Sequence, residues 1–153
     1  MAGNTAYIEV DDKQVRAALD RIIAFGTAAI LEFYRDVGEE MLIRTRARAA
    51  REEDPQGIPW VPLSPRYKRY KDRKRPGVPK LKFDSHMLSD MLSYQATAAE
   101  LLWGTNAEWG ATHQFGDPDR GIPARPWLGL SGDDASAIVD IALEHLQDAV
   151  AGR

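Results

Sequence analysis

His113 is the one histidine in this chain with other polar groups near it in sequence, Gln114, Asp117 and Asp119, so general-base or metal chemistry would be looked for there first. A metal site would need further ligands from elsewhere, because His86 and His145 stand at no ligand spacing from it. His113 and Gln114 are read instead as side chains that hydrogen-bond turn backbone. The Asp133-Asp134 pair resembles an acid/base couple only superficially, since its place just before an apolar-periodic run makes it negative charge at a helix N-terminus. No glycine pattern matches a Walker or dinucleotide fingerprint. The absence of cysteine removes thiol nucleophiles, Cys-rich zinc sites, iron–sulfur clusters and disulfides. Trp60, Trp103, Trp109 and Trp127 could stack a ligand, but large apolar area with a single donor suits core and interface anchors better. The expectation is a protein that is not an enzyme and carries neither metal nor cofactor.

The elements that must position these residues are read from hydrophobic spacing. After Asp11 or Asp12 as cap, Val15, Leu19, Ile22 and Phe25 recur at intervals of three and four, and Ile30, Phe33, Val37, Met41 and Thr45 continue the series. Helices are predicted over 12–25 and 28–51, broken or kinked at Gly26-Thr27, either collinear or as a hairpin. Arg44, Arg46, Arg48 and Arg51 crowd the end where cations complement the helix dipole. From 52 to 82, six prolines forbid a long helix and leave at most a turn or two around 67–74. Asp84-Ser85 is a cap signal before a short amphipathic segment ending near Leu92, and 93–103 has the character of two strands joined around Ala99-Glu100. A final helix, capped by Ser131 or Asp133, carries Val139, Ala142, Leu143, Leu146 and Val150 as its apolar stripe, with His145 away from the stripe's centre. This order predicts an α+β fold: a long N-terminal helical region and a C-terminal helix packed on a small antiparallel β-sheet, with a long basic Pro-rich loop.

Length and charge bound the rest. With 153 residues, 44% of them hydrophobic, the chain is expected to be a single domain (1–153) that buries roughly 70% of its unfolded surface without staples. The uncharged run 22–31 contains Gly26 and stops at Glu32, short of the ~20 apolar residues a membrane span needs. The first residues lack a basic n-region and an apolar h-region, so a soluble intracellular product is expected. The net charge of −3 conceals a partition: residues 1–43 carry −4, 44–82 carry +9 and 83–153 carry −8. Within the extended basic loop 52–82, Arg66, Lys68, Arg69, Lys71, Arg73, Lys74 and Arg75 are interrupted by a single acid, Asp72, and interleaved with Tyr67 and Tyr70. Two readings remain open for it: a solvated or protein-facing segment, and a surface for DNA or an acidic partner. A negative block after a positive one suits copies of one protein meeting through unlike faces.

The segment His113-Gln114-Phe115-Gly116, followed by Pro123-Ala124-Arg125-Pro126-Trp127-Leu128, resembles the signature of the phage virion morphogenesis family, the tail-completion or neck proteins of tailed phages related to Mu and P2. Asp54-Pro55-Gln56-Gly57 with Trp60-Val61-Pro62-Leu63-Ser64 is similar to the family's motif after the long helix, and 81–88 to its segment before the sheet. Two positions depart from the pattern: His86 stands where glycine is usual, and Trp109-Gly110 where Tyr-Ala is common.

The resemblance implies a non-enzymatic virion component at the head–tail junction, assembled in the host cytoplasm. It implies a hexameric ring that completes the tail or neck and joins the head connector to the tail terminator or tail tube, around a channel for DNA. It also implies structural or interface roles for Trp60, Pro62, Leu63, His113, Gln114, Phe115, Gly116, Pro123, Arg125, Pro126, Trp127 and Leu128. Residue chemistry adds a mechanism for the last motif. Pro123 and Pro126 stiffen the chain around Arg125, whose planar fork is directed at a carboxylate or carbonyls, while Trp127 and Leu128 anchor the loop in the core. The alternative function is a DNA-binding module using the basic 66–82 segment.

Overall fold

The computed structural model describes residues 13, 16, 20, 22–24, 26–82 and 86–151. Their elements are α1 (Thr27–Arg51), α2 (Pro65–Lys74), a π-helical turn (His86–Asp90), β1 (Leu92–Ala96), β2 (Leu101–Thr105), α3 (Gly110–Phe115) and α4 (Gly132–Ala151). The fold is α+β, a long N-terminal helix and a C-terminal helix packed on a two-stranded antiparallel sheet. The predicted helix over 12–25 lies largely outside the described residues, although 13, 16, 20, 22 and 23 are helical. Gly26 adopts φ +104°, a left-handed conformation that ends one helix before α1 begins. The described residues form two compact units.

The helical unit draws on α1 up to Arg44, on 94–103 and on the chain from Leu130. Its core is the predicted 3/4 stripe: Ile22, Ile30, Phe33, Val37 and Met41 bury against Ile138 and Ala142, with Leu101 and Trp103 of β2 packed beside them. Gly38 is required here, because a Cβ would stand 2.5 Å from the ring of Tyr94.

The start of α4 is held by a reciprocal capping box. Ser131 Oγ accepts from the Asp134 N–H at 3.0 Å, and Asp134 Oδ2 accepts from the Ser131 N–H at 2.9 Å. Of the two predicted caps, Ser131 is therefore the one used. Of the predicted stripe of α4, Ala142 is buried and Leu146 packs against the core, whereas Leu143 is exposed and Ile138, outside the predicted stripe, is buried; the Val150 side chain lies outside the described residues. His145 consequently turns inward, edge-on to Phe33 at 5.9 Å, with Nε2 2.8 Å from Asp36 Oδ2.

The second unit comprises Thr45–Ser93 and Gly104–Gly129. It opens with the last turns of α1, where the predicted Thr45 is buried. Arg48, read as a dipole cation, is buried as well and donates through Nη2 to the Gly129 carbonyl at 3.0 Å. Asp54 Oδ1 then accepts from the N–H groups of Gln56 and Ile58 at 2.9 and 2.8 Å, folding the chain so that Glu53 pairs with Pro59.

The Pro-rich excursion is more ordered than predicted. Ser64 caps α2 through Tyr67 N–H, and Pro65 occupies the first helical turn, where its missing N–H has no partner to lose. The proline that was expected to limit helix thus starts one, and α2 runs for ten residues. The predicted cap at Asp84-Ser85 lies outside the described residues; the turn it would precede is π-helical, with Met87 and Leu88 buried. α3 was not predicted, being six residues long and opened by glycine.

Candidate functional site

Four side chains of the motif residues bind main chain rather than each other. Gln114, on α3, accepts through Oε1 from the N–H groups of Trp127 and Leu128, both at 3.0 Å, and donates through Nε2 to the Leu128 carbonyl at 2.9 Å. Arg125 directs its fork at carbonyls, Nε to Val61 at 2.8 Å and Nη2 to Pro62 at 2.9 Å. Trp60 donates from Nε1 to the Pro126 carbonyl at 2.6 Å, and Trp127 from Nε1 to the Gly110 carbonyl at 3.1 Å. Loops 60–63 and 123–129 are thereby tied to each other and to α3. Gly116 makes the turn possible: it has φ +79°, and a Cβ would lie 2.8 Å from the Ala124 nitrogen.

Two readings of individual motif residues need correction. Gln114 bonds backbone as expected, but the buried Nδ1 of His113 has no hydrogen-bond partner, so the imidazole does not serve as a turn clamp. Burial, with the Arg125 and Arg120 charges, holds the His113 pKa below its ordinary value. Trp60 and Trp127 are buried anchors, whereas Trp109 is exposed, as is Phe115.

His113 and Arg125 meet at a cavity of about 560 Å³ that also gathers Leu63, Pro123 and, from α2, Tyr67 and Lys71. Trp109, Arg120, Ile122 and Met87 complete its wall, and sequence spacing offers no signal for any of them because they come from separate segments. Among the described residues none of the lining side chains is acidic.

Lys71 belongs to this cavity and not to the outer surface, which corrects its place in the partner-facing basic segment. It is 3% exposed, and its ammonium donates to the Pro79 carbonyl. Burial pulls its pKa down, against the opposing influence of Glu52 and Asp72. Burial likewise lowers the pKa of Arg125. Glu52 is held by Lys80, with Nζ 2.7 Å from Oε2, and it keeps an unusual left-handed φ of 59° while its carbonyl accepts from Trp60 N–H at 2.7 Å. Its carboxyl is favoured in the charged form by the Lys80 hydrogen bonds, which outweigh burial.

The other cations of the segment, Arg66, Lys68, Arg69, Arg73, Lys74 and Arg75, are exposed along α2 and its end. Lys68 pairs with Asp72 at 2.6 Å one turn on. Tyr67 and Tyr70 lie against each other with ring centroids 6.1 Å apart.

Among the described residues no hydroxyl or amine meets the buried Nδ1 of His113. Among the described residues no three His, Cys, Asp or Glu groups converge on a metal position, and no helix is long and apolar enough to cross a membrane. What the arrangement offers is binding: an exposed basic helix beside a cation-lined apolar cavity.

The comparisons with known proteins agree with that character. A family model described as the phage virion morphogenesis family matches residues 10–147. Tail completion protein S of Escherichia phage P2 is similar to this chain, 30% identical over 110 residues that make up 65% of this chain and 73% of the relative. No solved structure matches.

Proposed function

This chain belongs to the phage virion morphogenesis family, whose members are structural and not enzymatic, and from that premise we propose that it completes the tail at the head–tail junction. Copies form a hexameric ring that joins the head connector to the tail terminator or tail tube and leaves a channel for DNA. The observation that carries the ring is the separation of charge onto two helices. The exposed residues of α2 include Arg66, Lys68, Arg69, Arg73 and Lys74. The exposed face of α4 carries Asp133, Asp140, Glu144 and Asp148, and no basic residue lies in its last turn. A ring needs heterologous contacts between two different faces of each copy, and opposite charge supplies both the attraction and the register. On α4 the apolar positions Ile138 and Ala142 are committed to the core, which leaves its charged face for partners.

The test is absolute mass by light scattering over a concentration series, with and without the tail terminator and connector. A partner-dependent ring supports the reading. A persistent monomer that binds duplex DNA, with affinity falling steeply as salt rises, would replace it with a DNA-binding module that grips phosphates through α2.

A further inference from the structure

The cavity between α2, α3 and the 120–125 loop is not accounted for by packing. Its charged lining side chains are Lys71, Arg120 and Arg125, all cations. Lys71 and Arg125 are 3% and 4% exposed, and their direct partners are neutral carbonyls of Pro79, Val61 and Pro62. Among the described residues the carboxylates nearby are already engaged, Glu52 by Lys80 at 2.7 Å and Asp117 by Arg120 at 2.5 Å. Buried cations without a matching anion are costly, and an incoming carboxylate would relieve that cost. The apolar side chains of Trp109 and Ile122 share the lining with these charges. Trp109 is 47% exposed, large apolar area that the fold leaves to solvent.

We propose that this cavity receives an extended segment of a different virion protein, in which an Asp or Glu sits beside an aromatic or large aliphatic side chain. The carboxylate lies against Lys71, Arg120 and Arg125, and the apolar side chain against Trp109 and Ile122. The proposal rests on the reading of this chain as a structural virion component and names the chemistry of one of its partners.

The volume of about 560 Å³ suits a few side chains. Duplex DNA cannot enter such a space; phosphates would meet the exposed cations of α2 instead. A second copy fits less well for a geometric reason. The chain's own acidic-aromatic loop, Phe115 with Asp117 and Asp119, adjoins Arg120 at the same cavity. The carboxylate of that loop, Asp117, is bound to Arg120 of its own chain at 2.5 Å and is not free to enter the cavity of another copy.

The experiment places the photo-cross-linker p-benzoylphenylalanine at Trp109 or, separately, at Ile122, both in the cavity lining and neither on α2. Purified particles carrying the protein are irradiated, and the joined peptides are identified by mass spectrometry. The expected product is a peptide of another virion protein with an acid adjacent to an aromatic or aliphatic residue. Its yield should fall about fivefold or more in Lys71→Met and in Arg120→Ala proteins that keep the wild-type circular dichroism. A joined peptide from this same chain, attachment to DNA, or no product in particles that contain the protein overturns the proposal. Absence of the unsubstituted protein from particles overturns the structural reading beneath it, and the proposal with it.

Discussion

The side-chain amide of Gln114 meets both main-chain polar groups of Leu128, accepting its N–H at 3.0 Å and donating to its carbonyl at 2.9 Å. The same oxygen also accepts from Trp127 N–H at 3.0 Å, so one side chain does for 127–128 what a neighbouring strand would do. The irregular chain through 123–129 can therefore be held in place without belonging to a sheet.

Gln114→Leu keeps the volume but leaves those backbone groups unmatched. It should lower stability by about 1–3 kcal/mol in chemical denaturation, since unsatisfied polar groups forfeit their hydration. Stability equal to wild type would show that water replaces the amide at no loss.

Arg125→Lys retains the charge and loses the planar fork that serves Val61 and Pro62 together. A loss of about 1–3 kcal/mol is expected, with more rapid hydrogen exchange in 60–63. Unchanged exchange there would mean that Trp60 alone holds the two loops.

Gly38→Ala places a methyl 2.5 Å from the Tyr94 ring. Alanine favours helix, yet the displaced ring should dominate and destabilise the protein by about 1–3 kcal/mol. The Tyr94 resonances should shift in the same variant, and a stabilised protein with Tyr94 unmoved would refute the close approach.

Stability should fall as pH drops below 6.5. His113 has its folded pKa below its ordinary value of 6.5, so the unfolded chain binds the proton more tightly. Its contribution is complete above 6.5 and is lost as pH falls toward the folded pKa. Glu52, also lowered in the folded state, adds a second loss only below its ordinary value of 4.5. His113→Gln should flatten the upper part of the stability profile and leave the lower part in place.

Arg66→Glu, Arg69→Glu and Lys74→Glu together should weaken ring assembly or particle incorporation about tenfold or more while leaving the fold intact, because all three are exposed. Lys71 is left out of that set because its burial would confound a surface effect with unfolding. Full incorporation of the triple variant would remove α2 from the interface.

Much of the helical unit was legible in the sequence. The stripe Ile30, Phe33, Val37, Met41 and Thr45 is buried as its spacing predicts, Gly26 breaks the helix, and Ser131 starts the last one. Periodicity identifies a helix and its apolar stripe because both depend only on neighbours along the chain. It identified α4 but set its face slightly off, since Leu143 and Ile138 are equally apolar and packing against Phe33 and Met41 selects between them. Proline content underreads the length of α2, because Pro65 is a first-turn residue and not a breaker.

The sequence by itself determined α1 and α4, the hairpin, the charge partition and the motif residues, all properties of residue type and spacing. Tertiary structure alone decided that Lys71 turns inward while its neighbours stay out, that His113 loses its partner, and that Trp109 stands exposed at a cavity. Those outcomes depend on chain segments far apart in sequence converging on one volume, and no local pattern encodes which side chain the convergence will bury.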